Sequence, residues 1–201
     1  MVVVANVLGG LMTAPQAVRL LRTRSVEGVS GTWAGVGVAM NLWWFSYGVA
    51  NGVWAVVPVS VAATALYATV AALYVRELRA AALPGLAFGV LGLGVVPLPF
   101  LVFGGWEPAG LAIGLSYGVQ FTPAVLAAMR SRNPVGVSAG TWLMAWVEAA
   151  IWLGYSLTID DVALLAGGAS GLLMATLILG RLAQIGRLAE LRLRRAVRFS
   201  G

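Results

Sequence analysis

Cysteine, histidine and lysine are all absent from the 201 residues of this chain. Without cysteine there is no disulfide framework and no thiolate metal site. Without histidine the commonest metal ligand and the usual general base are gone. No Walker loop, zincin pattern or nucleophile elbow occurs either, so neither an enzyme nor a resident cofactor or metal is expected. Charge is scarce too: 10% of residues are charged and 60% hydrophobic, with a mean hydropathy of +0.91. A soluble domain carries about 25% charged residues. So few charges cannot cover a water-facing surface of this size, and a polytopic membrane protein in contact with the lipid bilayer is the class that fits. The net charge of +6 rests on arginine alone. Those arginines sit in short turns between apolar runs, which reads as membrane topology and not as a nucleic-acid surface. The N-terminus lacks a basic region and a cleavage site, so its first apolar run is expected to be a retained helix.

Apolar runs of about 20 residues, enough to cross a bilayer, occur at roughly 2–20, 30–51, 54–74, 84–103, 108–129, 138–157 and 162–183. The run 84–103 is the weakest, because it holds Pro97, Pro99 and many glycines. Placing the N-terminus outside puts Arg19, Arg22, Arg24, Arg76, Arg79, Arg130, Arg132 and every arginine from Arg181 to Arg198 on the inner side. Glu107, Asp160 and Asp161 then fall on the outer side with no basic residue. A wrong helix count would scatter the arginines over both faces. The expectation is an integral protein of the cell membrane with its N-terminus outside and its C-terminus inside. The tail from 187 to 201 would continue the last helix and emerge as a basic segment suited to anionic headgroups.

One stretch occurs twice. Residues 10–33 read GLMTAPQAVRLLRTRSVEGVSGTW, and residues 118–142 read GVQFTPAVLAAMRSRNPVGVSAGTW. A constant shift pairs Gly10 with Gly118, Pro15 with Pro123, Arg22 with Arg130, Arg24 with Arg132, Gly28 with Gly136 and Ser30 with Ser138. The second copy has one extra residue before Trp142, and the shift then returns to pair Trp44 with Trp152 and Tyr47 with Tyr155. Self-similarity of this kind fixes architecture before detail. The runs divide as three, one and three: a first triplet in 1–79, a linker helix in 80–107, a second triplet in 108–186 and a basic tail in 187–201. An odd number of helices inverts the next copy unless another helix intervenes. The expected fold is therefore an all-α membrane protein of seven transmembrane helices in 3+1+3 parallel repeats, related by an axis along the membrane normal.

This layout resembles the PQ-loop superfamily, in particular the SWEET sugar transporters and their half-sized SemiSWEET relatives. The residues that carry the resemblance are Pro15-Gln16 with the arginine turn behind it, the degenerate Thr122-Pro123 copy, and Trp44 and Trp152 in the second helix of each triplet. The resemblance implies a transporter whose substrate site lies between the repeats at Trp44 and Trp152, with Pro15 and Pro123 as hinges at the inner mouth. Val59 and Gly167 stand at about the positions where the family carries a site asparagine.

The residues also speak for themselves. Pro15 and Pro123 free the carbonyls of Leu11 and Val119, which in a bilayer need partners from other helices or trapped water. Their matched depth reads as a paired hinge, or else as a static packing kink. Gln16, whose counterpart is Ala124, and Gln120 are each spaced to bond such a carbonyl. Trp44 and Trp152 lie well inside their runs and offer a flat apolar face with one N–H. Asn41, three residues before Trp44, and Glu148, four before Trp152, share a helix face with those tryptophans. Glu148 sits near the middle of its run, and no run interior holds a basic residue to pair with it. A carboxylate at that depth costs at least ~2.5 kcal/mol and marks a pathway or proton relay by default, so Glu148 is the proton-coupling candidate. Asn6, Ser60, Thr64, Tyr67, Ser170 and Thr176 would line a cavity or make interhelical bonds. Ser30 and Ser138 read as helix N-caps, and Trp33, Trp54, Trp106 and Trp142 as an interfacial belt.

The expected function is transport of a small polar solute, a sugar first, by alternating access around Trp44, Trp152, Asn41 and Glu148. Two alternatives stand beside it. A proton-coupled amino-acid transporter is favoured by Glu148 and the missing asparagines. A non-transporting receptor or scaffold would use the basic tail for docking. Two complete triplets suffice for one pathway, so a homo-oligomer is allowed but not required.

Overall fold

The computed structural model describes residues 1–23, 25–27, 29–130 and 138–199, and every regular element among them is a helix. Arg24, Gly28, Arg132 and Gly136 of the repeated stretch lie outside these residues, as do the side chains of Gln16 and of 187–199. The elements are α1 (Val2–Thr23), α2 (Gly31–Asn51), α3 (Val57–Leu78), α4 (Leu83–Gly94), α5 (Pro97–Gly104), α6 (Trp106–Arg130), α7 (Ala139–Ile159) and α8 (Val162–Phe199). Short 3-10 turns at Trp54–Val56 and Arg79–Ala82 lead into α3 and α4.

Local chemistry sets these boundaries. Ser30 opens α2 by accepting from the Trp33 amide at 3.2 Å, and Ser138 opens α7 by accepting from the Thr141 amide at 3.3 Å. Both are the expected N-caps. Gly52 closes α2 at φ 70, and Asp160 closes α7 at φ 52. Replacing either capping serine by alanine is expected to lower stability by about 1 kcal/mol, read as a lower unfolding midpoint in detergent. Aspartate at the same position should retain it.

Contacts fix the direction of each helix. α1 runs parallel to α3: Asn6 Nδ2 donates to the Ala55 carbonyl at 3.1 Å, Gly9 meets Val59, and Ala17 and Leu20 share a buried cluster with Val70. α2 runs antiparallel to α3, with Gly48 against Val56, Gly37 against Tyr67 and Gly31 against Tyr74. The later helices repeat the pattern. α6 runs parallel to α8, with Gly110 against Ala163, Gly114 against Gly167, and Arg181 donating to the Ala128 carbonyl at 3.4 Å. α7 runs antiparallel to α8, with Gly168 against Leu153, Gly171 against Ala149, and the Trp146 indole donating to Thr176 at 3.0 Å. The two groups meet where α1 packs on α7 and α2 on α6.

Glu148 apart, this packing collects the described charged side chains at two ends. One end gathers the starts of α1, α3, α6 and α8 and the ends of α2 and α7, with Glu107, Asp160 and Asp161. The other holds Arg19, Arg22, Arg76, Arg79, Arg130 and Arg181, together with Glu27 and Glu77. No described arginine lies at the first end.

The segment 80–107, expected as one linker helix, is two. The chain reverses at Arg79, φ 53, and α4 then runs parallel to α2, with Gly85 near Gly31, Gly89 against Thr32 and Val36, and Gly94 against Ala39. The helix breaks at Val95–Val96 because Pro97 and Pro99 cannot supply amide donors to the turn before them. α5 packs on α6 instead.

Four segments are long and apolar enough to cross a membrane: Trp54–Gly104, Trp106–Arg130, Ala139–Ile159 and Val162–Gly186. The first contains the reversal at Arg79 and so folds into two antiparallel arms. α1 and α2 match the others in length, at 22 and 21 residues. They are less apolar, α1 through Asn6, Arg19 and Arg22 and α2 through Asn41, Asn51 and its tryptophans. Phe88, Leu91, Val102, Phe103 and Leu173 are each more than half exposed. Apolar surface on this scale marks a membrane-embedded protein.

Candidate functional site

A cavity of about 270 Å³ lies between α1–α3 on one side and α6–α8 on the other. It exists because small residues stand where the helices come closest. A Cβ at Gly9 of α1 would fall 2.6 Å from Glu148 Oε1 and 2.7 Å from Val59, so only glycine lets the α7 carboxyl lie against the α1 backbone. Gly167, Gly168 and Gly171 of α8 form another part of the wall.

Asn41, Trp44, Glu148 and Trp152 all line this cavity. The two tryptophans are not equivalent in their bonding. The Trp152 indole donates to Glu148 Oε1 at 3.4 Å, one helical turn away. The Trp44 ring is buried and its Nε1 has no partner. An unpaired buried donor costs about 1–3 kcal/mol, and this one belongs to a residue of the cavity wall. Asn41 donates to the Gly37 carbonyl at 2.8 Å, within its own helix.

Pro15 and Pro123 do not line the cavity, and both are exposed on their helices. α1 and α6 run through them without interruption, and their neighbours Thr13 and Phe121 do reach the cavity wall. Gln120 also lines the cavity. It donates to the Ser116 hydroxyl at 3.0 Å and not to the Val119 carbonyl. Of the other polar candidates, Ser60 and Tyr67 line the cavity, while Asn6, Thr64, Ser170 and Thr176 do not. Asn6 instead ties α1 to the turn before α3.

The ends of the cavity differ. Toward the acidic end, Met40, Trp44, Tyr47, Val56, Ile113 and Leu164 form a buried cluster contributed by both groups of helices. The Tyr47 hydroxyl donates to Asp161 Oδ2 at 2.8 Å, joining α2 to the start of α8, and the Trp106 ring stands edge-on to Tyr47 at 6.2 Å. Toward the arginine end, Trp33 is 40% exposed and Thr141 is exposed. Trp33 and Trp142, expected as belt residues, line the cavity there. Ring contacts explain the difference: Trp33 leans on Tyr67 at 4.7 Å and Trp142 on Phe121 at 5.4 Å, which draws both indoles inward.

Tyr47–Asp161 was not legible as a pair. The repeat singles out Tyr47 through its match to Tyr155, but nothing in the sequence joins it to an aspartate in the α7–α8 turn. No protein-family model matches the chain, and no curated protein matches it either.

Proposed function

We propose that the chain is a membrane transporter that moves a small polar solute by alternating access between two three-helix bundles, α1–α3 and α6–α8. In this reading the helices cross the membrane seven times in a 3+1+3 arrangement of parallel repeats, α4 and α5 together making the fourth crossing. The arginine end faces the cytoplasm, by the excess of basic residues found there, and the N-terminus lies outside. Pro15 and Pro123, where each helix lacks one backbone bond, are the points at which the bundles bend.

The observation that carries the reading is the cavity. Both bundles line it, a buried cluster and the Tyr47–Asp161 bond join the bundles at its acidic end, and its wall toward the arginine end includes exposed residues. That is the form of a site accessible from one side at a time, which supports an inward-open state. Paired indoles suit the C–H face of a sugar. No cationic side chain lines the cavity among the described residues, so an amino acid's carboxylate would find no counter-ion. A sugar is therefore the first solute to test.

Counterflow in proteoliposomes, with labelled sugars and amino acids and with and without a pH gradient, tests the reading. Sugar flux that falls at least about tenfold in Trp44→Ala is expected. No flux for any solute, with loss of a bound protein on deleting residues 187–201, would replace transport by the docking role. Because the chain has no cysteine, a single Thr141→Cys gives a clean second measurement. An impermeant maleimide should label it from the side that bears the arginines and not from the other.

A further inference from the structure

The cavity's polar groups are unevenly matched. Asn41 and Gln120 each have two amide hydrogens and a carbonyl oxygen. Both nitrogens already bond within their own helices, to the Gly37 carbonyl at 2.8 Å and to the Ser116 hydroxyl at 3.0 Å. What each can offer best is its oxygen. Ser60 donates to the Val56 carbonyl at 2.8 Å, and the Trp152 indole to Glu148. Among these amide, serine and indole groups the free capacity is thus mostly acceptor, while the Thr13, Tyr67, Tyr117 and Thr141 hydroxyls on the wall can accept as well as donate. The one carboxyl in the wall, Glu148, faces no cationic side chain among the described lining residues. Around it stand aromatic rings from four helices, Trp44, Tyr67, Tyr117 and Trp152 among them. Acceptor oxygens, one acid and several π faces make the chemistry that receives an organic cation.

We propose that the cavity also takes small organic ammonium ions, with Glu148 as counter-ion, the Asn41 and Gln120 carbonyls as acceptors and the indole and phenol rings as walls. The inference rests on the transport reading only in treating the cavity as a solute site. It goes further in adding a second class of solute, one with a positive charge and no carboxylate. It also makes the proton a competitor, since a protonated Glu148 offers no charge to pair. The titratable groups facing Glu148 are Tyr67 from α3 and Tyr117 from α6, while α1, α2 and α8 contribute none to the wall.

The test is a matched pair of probes of equal shape, cyclohexylammonium and neutral cyclohexanol. Each is titrated into the full chain in detergent and read by tryptophan fluorescence. At pH 8 the ammonium ion should bind at least about tenfold more tightly than the alcohol. In Glu148→Gln that preference should vanish while the elution profile and melting point stay those of the unmodified chain, which shows the fold intact. Lowering the pH from 8 to 5 should weaken the ammonium ion in the unmodified chain and leave Glu148→Gln unaffected. Equal affinity for the two probes in the unmodified chain would overturn the proposal without need of any variant, as would an unchanged preference in Glu148→Gln. Ammonium binding without counterflow of any solute would uphold the site and remove the transport reading. Sugar counterflow with no preference for the ammonium ion would do the reverse.

Discussion

Replacing Gly114 by valine is expected to leave little folded, monodisperse protein after extraction in mild detergent. α6 and α8 cross with their backbones in near contact at this position. A Cβ on Gly114 would lie against the Ala163 carbonyl, 2.9 Å from the Gly167 nitrogen and 3.0 Å from the Ala166 Cβ. Two of these three atoms belong to backbone, so no rotamer change relieves the overlap. Overpacking a well-filled interior costs about 1–3 kcal/mol even where side chains can shift. In lipid, small residues that allow such approach are a main source of helix association. Gly118, one turn further along, is the control. Its Cβ would meet only Met174 Cε at 3.6 Å and Ser170 Cβ at 4.0 Å, which is ordinary contact. Gly118→Ala should therefore elute and melt like the unmodified chain. A Gly114→Val protein with a normal elution profile and melting point would mean that α6 and α8 do not pack as described.

Asp161→Ala is expected to cost about 1.5–5 kcal/mol. Asp161 does two things at once. Its Oδ1 accepts from the Leu164 amide at 2.8 Å, capping α8, and its Oδ2 accepts from the Tyr47 hydroxyl at 2.8 Å. Losing the cap costs about 0.5–2 kcal/mol. The stranded hydroxyl of a buried tyrosine adds about 1–3 kcal/mol. Tyr47→Phe removes the second interaction alone and should cost about 1 kcal/mol. The double variant should then be more stable than the sum of the two single changes predicts, by about 1–2 kcal/mol, because both remove the same bond. Additive melting shifts would show that the two side chains do not interact. The same pair has a functional readout under the transport proposal. Leu164, only 4% exposed, sits just inside the contact. Leu164→Cys should resist an impermeant maleimide from the acidic side and react once Tyr47→Phe is added.

Much of the architecture could be read from the sequence because it rests on local or strongly periodic signals. Ser30 and Ser138 announce helix starts through their own hydroxyls. The placement of arginines reports which helix ends lie together, and that ordering reappears in the packing. Trp44, Trp152, Asn41 and Glu148 could be grouped because helical spacing puts each polar residue one turn from its tryptophan, and all four border the cavity. Long-range partners could not be read. Gln120 stands one turn before Pro123, next to the Val119 carbonyl that this proline frees, but bonds Ser116, and no periodicity distinguishes those two acceptors. Trp33 and Trp142 look like belt residues until Tyr67 and Phe121, on other helices, draw them inward. The split of the linker was signalled by Pro97 and Pro99, but not which neighbour each half would join.

That split decides where the molecule can turn. α4 is fastened to α2 along its length, and the Trp43 indole closes the attachment by donating to the Gly94 carbonyl at 2.6 Å. α5 is fastened to α6. The chain therefore passes from one half to the other through Val95 and Val96. They follow directly on Gly94, which Trp43, the neighbour of the cavity tryptophan Trp44, holds. Under the transport proposal, a rotation of one half against the other would be taken up at this break, where two prolines follow and the helical bonding is already interrupted.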